Sequence, residues 1–153
     1  MVEFILSLES DAKILKEVAI RAFDEDKTMY GSLPPGIETL EWHLEKIKNG
    51  MYYKIVLDNT IIGGINLYDL GNRHFRLGAL YIDPNYQNQG IGTKAISFIE
   101  KTYPHIRKWS LDTPYKSYRN HYFYKKHGYV KTEEFKPVKE VDFWLFEYVK
   151  EIS

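Results

Sequence analysis

The residues with the clearest chemical potential are seven in a row, Gln-Asn-Gln-Gly-Ile-Gly-Thr at positions 87–93. They lie between an apolar run at 75–82 and a stretch with helical apolar spacing, which predicts a strand, a loop and a helix with two glycines in its first turn. Glycine lets a ligand approach the backbone, and the first N–H groups of a helix have no partner within it. With the positive end of the helix dipole, they favour a phosphate or pyrophosphate. The segment therefore predicts an anion site for a phosphorylated cofactor.

The same glycines allow two other interpretations. Residues 90–95 satisfy the dinucleotide fingerprint G-x-G-x-x-G/A, and Asp112 follows at a distance that suits a ribose-binding acid. Dinucleotide folds, however, place this motif directly after their first strand and follow it with several β–α–β units. Here three predicted strands precede the motif and one further helix follows it. A dinucleotide-binding enzyme therefore stays a less favoured alternative, as does a tight turn with no ligand.

Composition excludes several classes of chemistry. The chain has 153 residues, enough for one domain with a substantial core, and its 21 basic residues equal its 21 acidic ones. No global charge attracts nucleic acid or an anionic membrane, and no apolar run approaches the roughly 20 residues that span a bilayer. The chain has no cysteine, which rules out disulfides, thiolate metal ligands and a cysteine nucleophile. No basic segment of a secretory leader opens the sequence, so we expect a cytoplasmic location.

The histidines give no indication of a metal site. The sequence contains no H-E-x-x-H motif, and no histidine has a carboxylate partner at the spacing that metal ligation on a helix requires. We therefore expect a reaction without a metal.

Turn and cap residues divide the chain into one mixed α/β domain that spans residues 1–153. Predicted strands lie at 2–8, 51–57, 61–68, 75–82, 107–111, 129–135 and 141–149. A helix separates the strands at 75–82 and 107–111, so these two should be parallel and joined by a right-handed crossover. The strands on either side should pair in antiparallel fashion.

Four helices should accompany these strands. The first has Ser10 as its N-cap and apolar positions as far as Ala22, and the others lie at 38–48, 90–103 and 118–127. Apolar spacing in the second predicts that its buried residues are Leu40, Leu44 and Ile47. Gly128 is predicted as the left-handed cap of the last.

Three motifs in this order resemble those of the GCN5-related N-acetyltransferase (GNAT) family. They are Leu-Tyr-Ile-Asp-Pro at 80–84, Gln-Asn-Gln-Gly-Ile-Gly at 87–92 and Phe-Tyr-Lys-Lys-His-Gly-Tyr at 123–129. The resemblance is close over 77–130, and elsewhere it extends only to the order of elements. It implies a single GNAT-like domain, a mostly antiparallel sheet with a central splayed parallel pair and flanking helices. It also implies transfer of an acetyl group from acetyl-CoA to a primary amine by direct attack in a ternary complex.

The resemblance implies where acetyl-CoA would bind. Its pyrophosphate would lie on backbone N–H groups at 89–93, with further donors from the Gln87 amide and the Thr93 hydroxyl. The pantetheine arm would follow the strand at 80–82, and a backbone N–H near Ile82 would polarise the thioester. The residues expected to bind the cofactor are Leu80, Tyr81, Ile82, Gln87, Asn88, Gln89, Gly90, Ile91, Gly92, Thr93, Ser117, Asn120 and Lys126.

The resemblance also implies that Tyr124 protonates the leaving thiolate, although a tyrosine that only packs is the alternative. The chain departs from the family at Ser117, where many members carry asparagine, and at Arg76, where members often carry a glutamate base. The base stays open among His74, Asp112, Glu41 and a chain of water molecules. The arginine also keeps open a non-catalytic acyl-CoA-binding or regulatory module.

Acceptor binding in the family falls to the first two helices and their connection. The acidic and aromatic residues in that part of the chain suit a cationic small amine or peptide amine. They are Asp24, Glu25, Asp26, Tyr30, Glu38, Glu41 and Trp42. A solvated acidic stretch is the alternative. Near the C-terminus, Phe143, Trp144 and Phe146 could belong to the core or to the seam of a homodimer.

Overall fold

Across residues 1–24 and 35–153, which the computed structural model describes, a seven-stranded sheet organises the chain. Its strands are β1 (Val2–Leu6), β2 (Tyr52–Leu57), β3 (Thr60–Asp69), β4 (His74–Ile82), β5 (Lys108–Pro114), β6 (Val130–Phe135) and β7 (Leu145–Glu151). The helices are α1 (Ala12–Ala22), α2 (Leu40–Lys48), α3 (Ile91–Thr102) and α4 (Tyr118–Lys126), with 3₁₀ turns at Glu9–Asp11 and Pro84–Tyr86. The spatial order is β1-β2-β3-β4-β5-β7-β6. Only the β4–β5 pair is parallel in this sheet, so the predicted mixed α/β fold is confirmed.

Residues with positive φ close the turns and helices where the sequence predicted them. Asp58 and Asn59 have φ values of 49° and 63° in the β2–β3 hairpin, a geometry that short Asp and Asn side chains tolerate. Gly50 and Gly128 have φ values of 81° and 93° just beyond α2 and α4. The predicted left-handed cap at Gly128 is therefore confirmed.

Several predicted boundaries were wrong. Strand β1, predicted to reach position 8, ends at Leu6, and strand β5, predicted to end at 111, continues to Pro114. Helix α1 begins at Ala12, and Ser10 lies in the preceding 3₁₀ turn, where the Asp11 carboxylate instead accepts a hydrogen bond from the Leu8 N–H at 2.8 Å. Strand β7 begins at Leu145 rather than at position 141. Its neighbours β5 and β6 both end opposite Leu145, so the residues before it have no strand to pair with.

The helices divide between the two faces of the sheet and bury two hydrophobic clusters. On the α3/α4 face, side chains from α3 and α4 pack on a cluster that includes Phe75, Leu77, Trp109, Leu111 and Tyr148. On the α1/α2 face, side chains from α1 and α2 pack on a second cluster with the strand residues Tyr52, Ala79 and Tyr81.

A β-bulge in β4 reverses which residues of the strand face each cluster. The register between β3 and β4 shifts at Asn66/Leu67, opposite Gly78. A Cβ atom on Gly78 would lie 2.2 Å from the Tyr68 ring, so a larger residue would have to displace that ring. Phe75 and Leu77 precede the bulge on the α3/α4 face, and Ala79 and Tyr81 follow it on the other face. The bulge thus re-aims the second half of the strand.

A buried chain of hydrogen bonds replaces part of the apolar face predicted for α2. Leu40 and Leu44 are 37% and 36% exposed, whereas His43 is fully buried beside Ile47. The His43 Nε2–H donates to the Ile37 carbonyl at 2.7 Å, and its Nδ1 accepts the Tyr52 hydroxyl at 2.9 Å. Burial lowers the pKa of His43, so the ring is neutral. A histidine with both ring nitrogens bonded can occupy a core position that hydropathy assigns to leucine.

We expect Tyr52→Phe to lower the free energy of unfolding by about 1–3 kcal/mol, because it leaves His43 Nδ1 buried without a donor. Urea denaturation of the purified protein measures this. The matched control is Tyr118→Phe, since Tyr118 is 76% exposed and loses the same atom. Equal stability of the two variants would contradict a stabilising role for the buried chain.

Candidate functional site

A groove of about 760 Å³ lies where β4 and β5 separate, within the size range of cofactor sites. The two strands pair only at His74↔Lys108, Phe75↔Trp109 and Arg76↔Ser110, although β4 continues to Ile82 and β5 to Pro114. All of the residues predicted to hold the cofactor line the groove except Gln89, which is exposed and is not part of the lining. Residues that the sequence did not suggest also line it: Ala22, Phe23, Tyr86, Lys116, Tyr118, Arg119, Tyr122 and Phe123.

The two motif glycines serve different physical purposes at one end of the groove. Gly90 is the N-cap of α3 with a φ of 75°, and no side chain caps this helix end. The first N–H groups of α3 are therefore available to a ligand. Gly92 lies against Phe123, and a Cβ atom there would be 3.0 Å from the ring. Gly90 provides the turn, and Gly92 provides the close packing of α3 on α4.

The Gln87 and Thr93 side chains are engaged within the protein. Gln87 Nε2 donates to the Ile82 carbonyl at 3.1 Å, and its Oε1 accepts from Arg119 Nη1 at 3.0 Å. The Thr93 hydroxyl lies 3.0 Å from His127 Nε2. Burial, followed by the charges of the nearby lysines, lowers the pKa of His127, and this ring nitrogen and the Thr93 hydroxyl share one hydrogen bond. Backbone N–H groups are thus the readiest donors for an anion.

The open edge of β4 offers further backbone groups. The Asp83 N–H donates to the Ile62 carbonyl at 2.7 Å, so at this position β4 bonds to β3. Neighbouring residues of a strand direct their backbone groups to opposite sides, which places those of Ile82 toward the gap. The Ile82 carbonyl meets the Gln87 amide there, and its N–H remains available.

Tyr124 is a buried phenol that lines the groove from α4. Its ring packs edge-on against Phe123 and Tyr129, with ring centres 5.1 and 5.5 Å away. Burial, and then the charge of Asp112, raises the pKa of Tyr124 well above its usual value. The hydroxyl is therefore protonated at neutral pH. It makes no hydrogen bond to another residue of the described chain.

The other predicted residues of α4 have separate environments. Ser117 is buried at the start of the helix, where its carbonyl accepts the His121 N–H. Asn120 Nδ2 donates to the Thr113 hydroxyl at 3.0 Å and so joins α4 to β5. Lys126 lies in the last turn, at the same end of the groove as Thr93.

The three candidate bases lie in different places. Asp112 accepts from Arg76 Nη2 at 2.6 Å, and Arg76 also bonds both oxygens of Glu147. His74 lies at the start of β4, with Nε2 2.7 Å from the Ser110 hydroxyl. Glu41 is exposed in the first turn of α2. The sequence did not reveal the Arg76 ion pairs, because their carboxylates come from β5 and β7.

The structure locates some of the residues that were predicted for acceptor binding or for a dimer seam. Glu25, Asp26 and Tyr30 lie outside the described residues, and Asp24, Glu38 and Glu41 are exposed to solvent. Trp42 packs on His43 and Tyr52 within the α1/α2 cluster. At the C-terminus, aromatic side chains contact their own chain: Phe146 packs on His121, Phe143 on Tyr115, and Trp144 lies beneath the Lys136 ammonium.

Residues 1–24 and 35–153 contain neither a membrane-spanning helix nor a cluster of metal ligands. No described helix has both the length and the apolar character needed to cross a membrane. No three histidine, aspartate or glutamate side chains in this part of the chain are grouped so that they could hold a metal ion.

Several solved structures share this fold. The PaiA N-acetyltransferase of Thermoplasma acidophilum, in complex with coenzyme A, superposes with a TM-score of 0.78 at 22% identity, over 99% of both chains. The ribosomal-protein-S18-alanine N-acetyltransferase of Escherichia coli gives 0.77 at 13% identity, over 100% of this chain and 95% of that one. A GNAT family acetyltransferase of Elizabethkingia anophelis with acetyl-CoA bound gives 0.61 at 21% identity, over 73% and 82%.

Two sequence comparisons, with a curated protein and with a family profile, also match this chain. The protein YrkN of Bacillus subtilis (strain 168) is 37% identical over 73 residues, which are 47% of this chain and 40% of that protein. The match therefore spans less than half the length of this relative. The profile of the acetyltransferase (GNAT) family matches residues 16–129, most of the chain. The protein belongs to the acetyltransferase (GNAT) family.

Proposed function

We propose that the protein transfers an acetyl group from acetyl-CoA to a primary amine by direct attack in a ternary complex. The observation that carries the proposal is one groove lined by the uncapped start of α3, the unpaired edge of β4 and the protonated Tyr124. These features supply an anion cradle, a backbone surface for an extended arm and a proton donor. The reaction needs all three in that order along one ligand.

The cradle suits the pyrophosphate of coenzyme A. The free N–H groups at the start of α3 are the donors, and the helix dipole adds positive potential. Because Gln87 and Thr93 bond to Arg119 and His127, their side chains support the cradle by fixing α3 against α4. Lys126 lies at the same end and suits a further phosphate.

The gap between β4 and β5 suits the pantetheine arm. With the pyrophosphate on α3, the arm runs from Ile82 back along β4 toward the point where the strands join. Strand alternation directs the N–H groups of Leu80 and Ile82 into this gap. They provide donors for the amides of the arm and for the oxygen of the thioester, on which negative charge develops during attack.

Tyr124 supplies the proton that the departing thiolate needs. Its raised pKa keeps the proton in place until a strong base forms nearby, and a thiolate formed in the same buried surroundings is more basic than in water. General acid catalysis requires the donor to lie within hydrogen-bond reach. A hydroxyl with no partner among the described residues is free to turn toward the sulfur.

A primary amine is the proposed acceptor class. The structural neighbours include an N-acetyltransferase that acts on a ribosomal-protein alanine, so a peptide amine and a small amine are both candidates. A thiol-release screen of acetyl-CoA against propylamine, spermidine, glucosamine, lysine amide and short peptides tests the proposal. Tight coenzyme A binding without acetylation of any amine in the panel would indicate a non-catalytic acyl-CoA module instead.

We expect Gly92→Val to weaken coenzyme A binding at least about tenfold, because the added side chain displaces Phe123 and covers the start of α3. Isothermal titration calorimetry measures the Kd. Ser97→Val, an exposed position of the same helix, is the matched control and should keep the wild-type Kd. Wild-type affinity in Gly92→Val, or tighter binding of NAD than of coenzyme A, would contradict the cradle assignment.

We expect Tyr124→Phe to lower kcat by about 10²-fold or more while the Kd for coenzyme A stays within a factor of about three. Steady-state kinetics with the best acceptor of the panel gives kcat. Tyr129→Phe is the control, because Tyr129 is also buried, touches Tyr124 and has a hydroxyl without a partner among the described residues. Similar kcat values for the two variants would show that Tyr124 only packs.

A further inference from the structure

We infer that Asp112 takes the proton from the acceptor amine and that Arg76 is the positioning residue for its carboxylate. The inference rests on the proposed function and supplies the base that the sequence left open. Arg76 is the last residue of β4 that pairs with β5, opposite Ser110. Asp112 follows on the part of β5 that has separated, and the Arg76–Asp112 ion pair of 2.6 Å lies at the closed end of the gap.

Asp112 and Tyr124 lie on opposite faces of the sheet at this gap. Leu111 belongs to the α3/α4 cluster and Thr113 bonds to Asn120 of α4, so Asp112 between them faces the other way. Tyr124 approaches from the α3/α4 face. An amine arriving from the face of Asp112 therefore meets the carboxylate on one side of the thioester, while the sulfur leaves on the side of the phenol.

The bonding of the two carboxylates decides between Asp112 and Glu147. Glu147 receives Arg76 Nη1 and Nη2 on its two oxygens at 2.9 and 3.1 Å, and its side chain is 16% exposed. Asp112 receives Arg76 on Oδ2 alone, and its side chain is 36% exposed. Oδ1 of Asp112 is thus the oxygen of this cluster that is left for a substrate proton.

The charges around Asp112 suit a cationic amine. Arg76 faces Asp112 from β4, and Glu147 lies on the other side of Arg76, on β7. Tyr124 on α4 is also nearby: burial raises the pKa of the Tyr124 hydroxyl most, and the charge of Asp112 raises it further. Burial, then Lys108 and Arg76, lowers the pKa of His74, so this ring stays neutral at the base of β4. The ion-paired cluster of Arg76, Asp112 and Glu147 by itself carries one net negative charge, which attracts an ammonium group.

The proton balance closes with these two residues. The ammonium nitrogen gives one proton to Asp112, which passes it to solvent, and the neutral nitrogen then forms the N–C bond. The C–S bond breaks as Tyr124 gives its proton to sulfur. The second proton that nitrogen loses returns to Tyr124 through solvent. The products are the amide, the free thiol of coenzyme A and one proton in solution.

The test is the pH dependence of kcat/KM for Asp112→Asn with the best acceptor of the amine panel. At about pH 7 the amine is protonated, and we expect the variant to be about 100-fold slower than wild type. At about pH 10 a substantial fraction of even an alkyl amine is neutral in solution, since its pKa is about 10.4, and we expect the difference in rate between variant and wild type to shrink to a factor of about three. The Kd for coenzyme A should stay unchanged.

Two variants separate catalysis from structure. Glu147→Gln loosens Arg76 and should slow the reaction by a similar factor at both pH values. Glu100→Gln breaks a comparable ion pair, Glu100–Lys150 at 2.8 Å, away from the groove, and should behave as wild type. A loss in Asp112→Asn that is equal at both pH values, or a pH-selective loss in Glu147→Gln, overturns the inference. If wild type acetylates no amine of the panel, the proposed function itself fails.

Discussion

The site depends on one constraint, the end of the hydrogen-bonded pairing between β4 and β5 at Arg76. Beyond this point the backbone groups of two adjacent strands lack the partners that a sheet normally provides, and an extended ligand can take their place. Strand β7 pairs with β5 along its whole length, and β3 pairs with β4 to its end. The opening is therefore held by continuous sheet on both sides rather than by loops, which gives a rigid groove.

The groove and the charge cluster beside it have different chemistry. Backbone groups, apolar and aromatic side chains and the cations Lys116, Arg119 and Lys126 line the groove, which suits a large ligand that carries phosphates. The carboxylates of Asp112 and Glu147 are not part of this lining and stand beside the closed end, where Arg76 bridges strands β5 and β7. Positive charge along the groove and negative charge beside its closed end thus come from different residues.

Local sequence signals predicted most of the fold and most of the residues that line the groove on α3 and β4. Positive-φ turns, the motif at 87–93 and the parallel pair are all encoded by neighbouring residues, and the structure has them where they were expected. The differences have long-range causes. Hydropathy does not show that Ile37 and Tyr52 hydrogen-bond both ring nitrogens of His43. Nor does it show that β7 begins only where β5 and β6 provide a strand to pair with. From the sequence, Arg76 stood only as a departure from the glutamate that family members often carry. Its ion pairs could not be predicted, because their carboxylates, Asp112 and Glu147, lie 36 and 71 residues away in the chain.

The bulge at Gly78 has a consequence for comparing this protein with its relatives. Before the bulge, the odd-numbered residues of β4 face α3 and α4, whereas after it the odd-numbered residues face α1 and α2. The hydrophobic pattern of the strand therefore shifts by one residue at Gly78. An alignment guided by alternation alone will slip by one residue at this point and pair Tyr81 with residues that face the other helices. Relatives should therefore be aligned separately on the two sides of the bulge, by structure rather than by hydrophobic alternation.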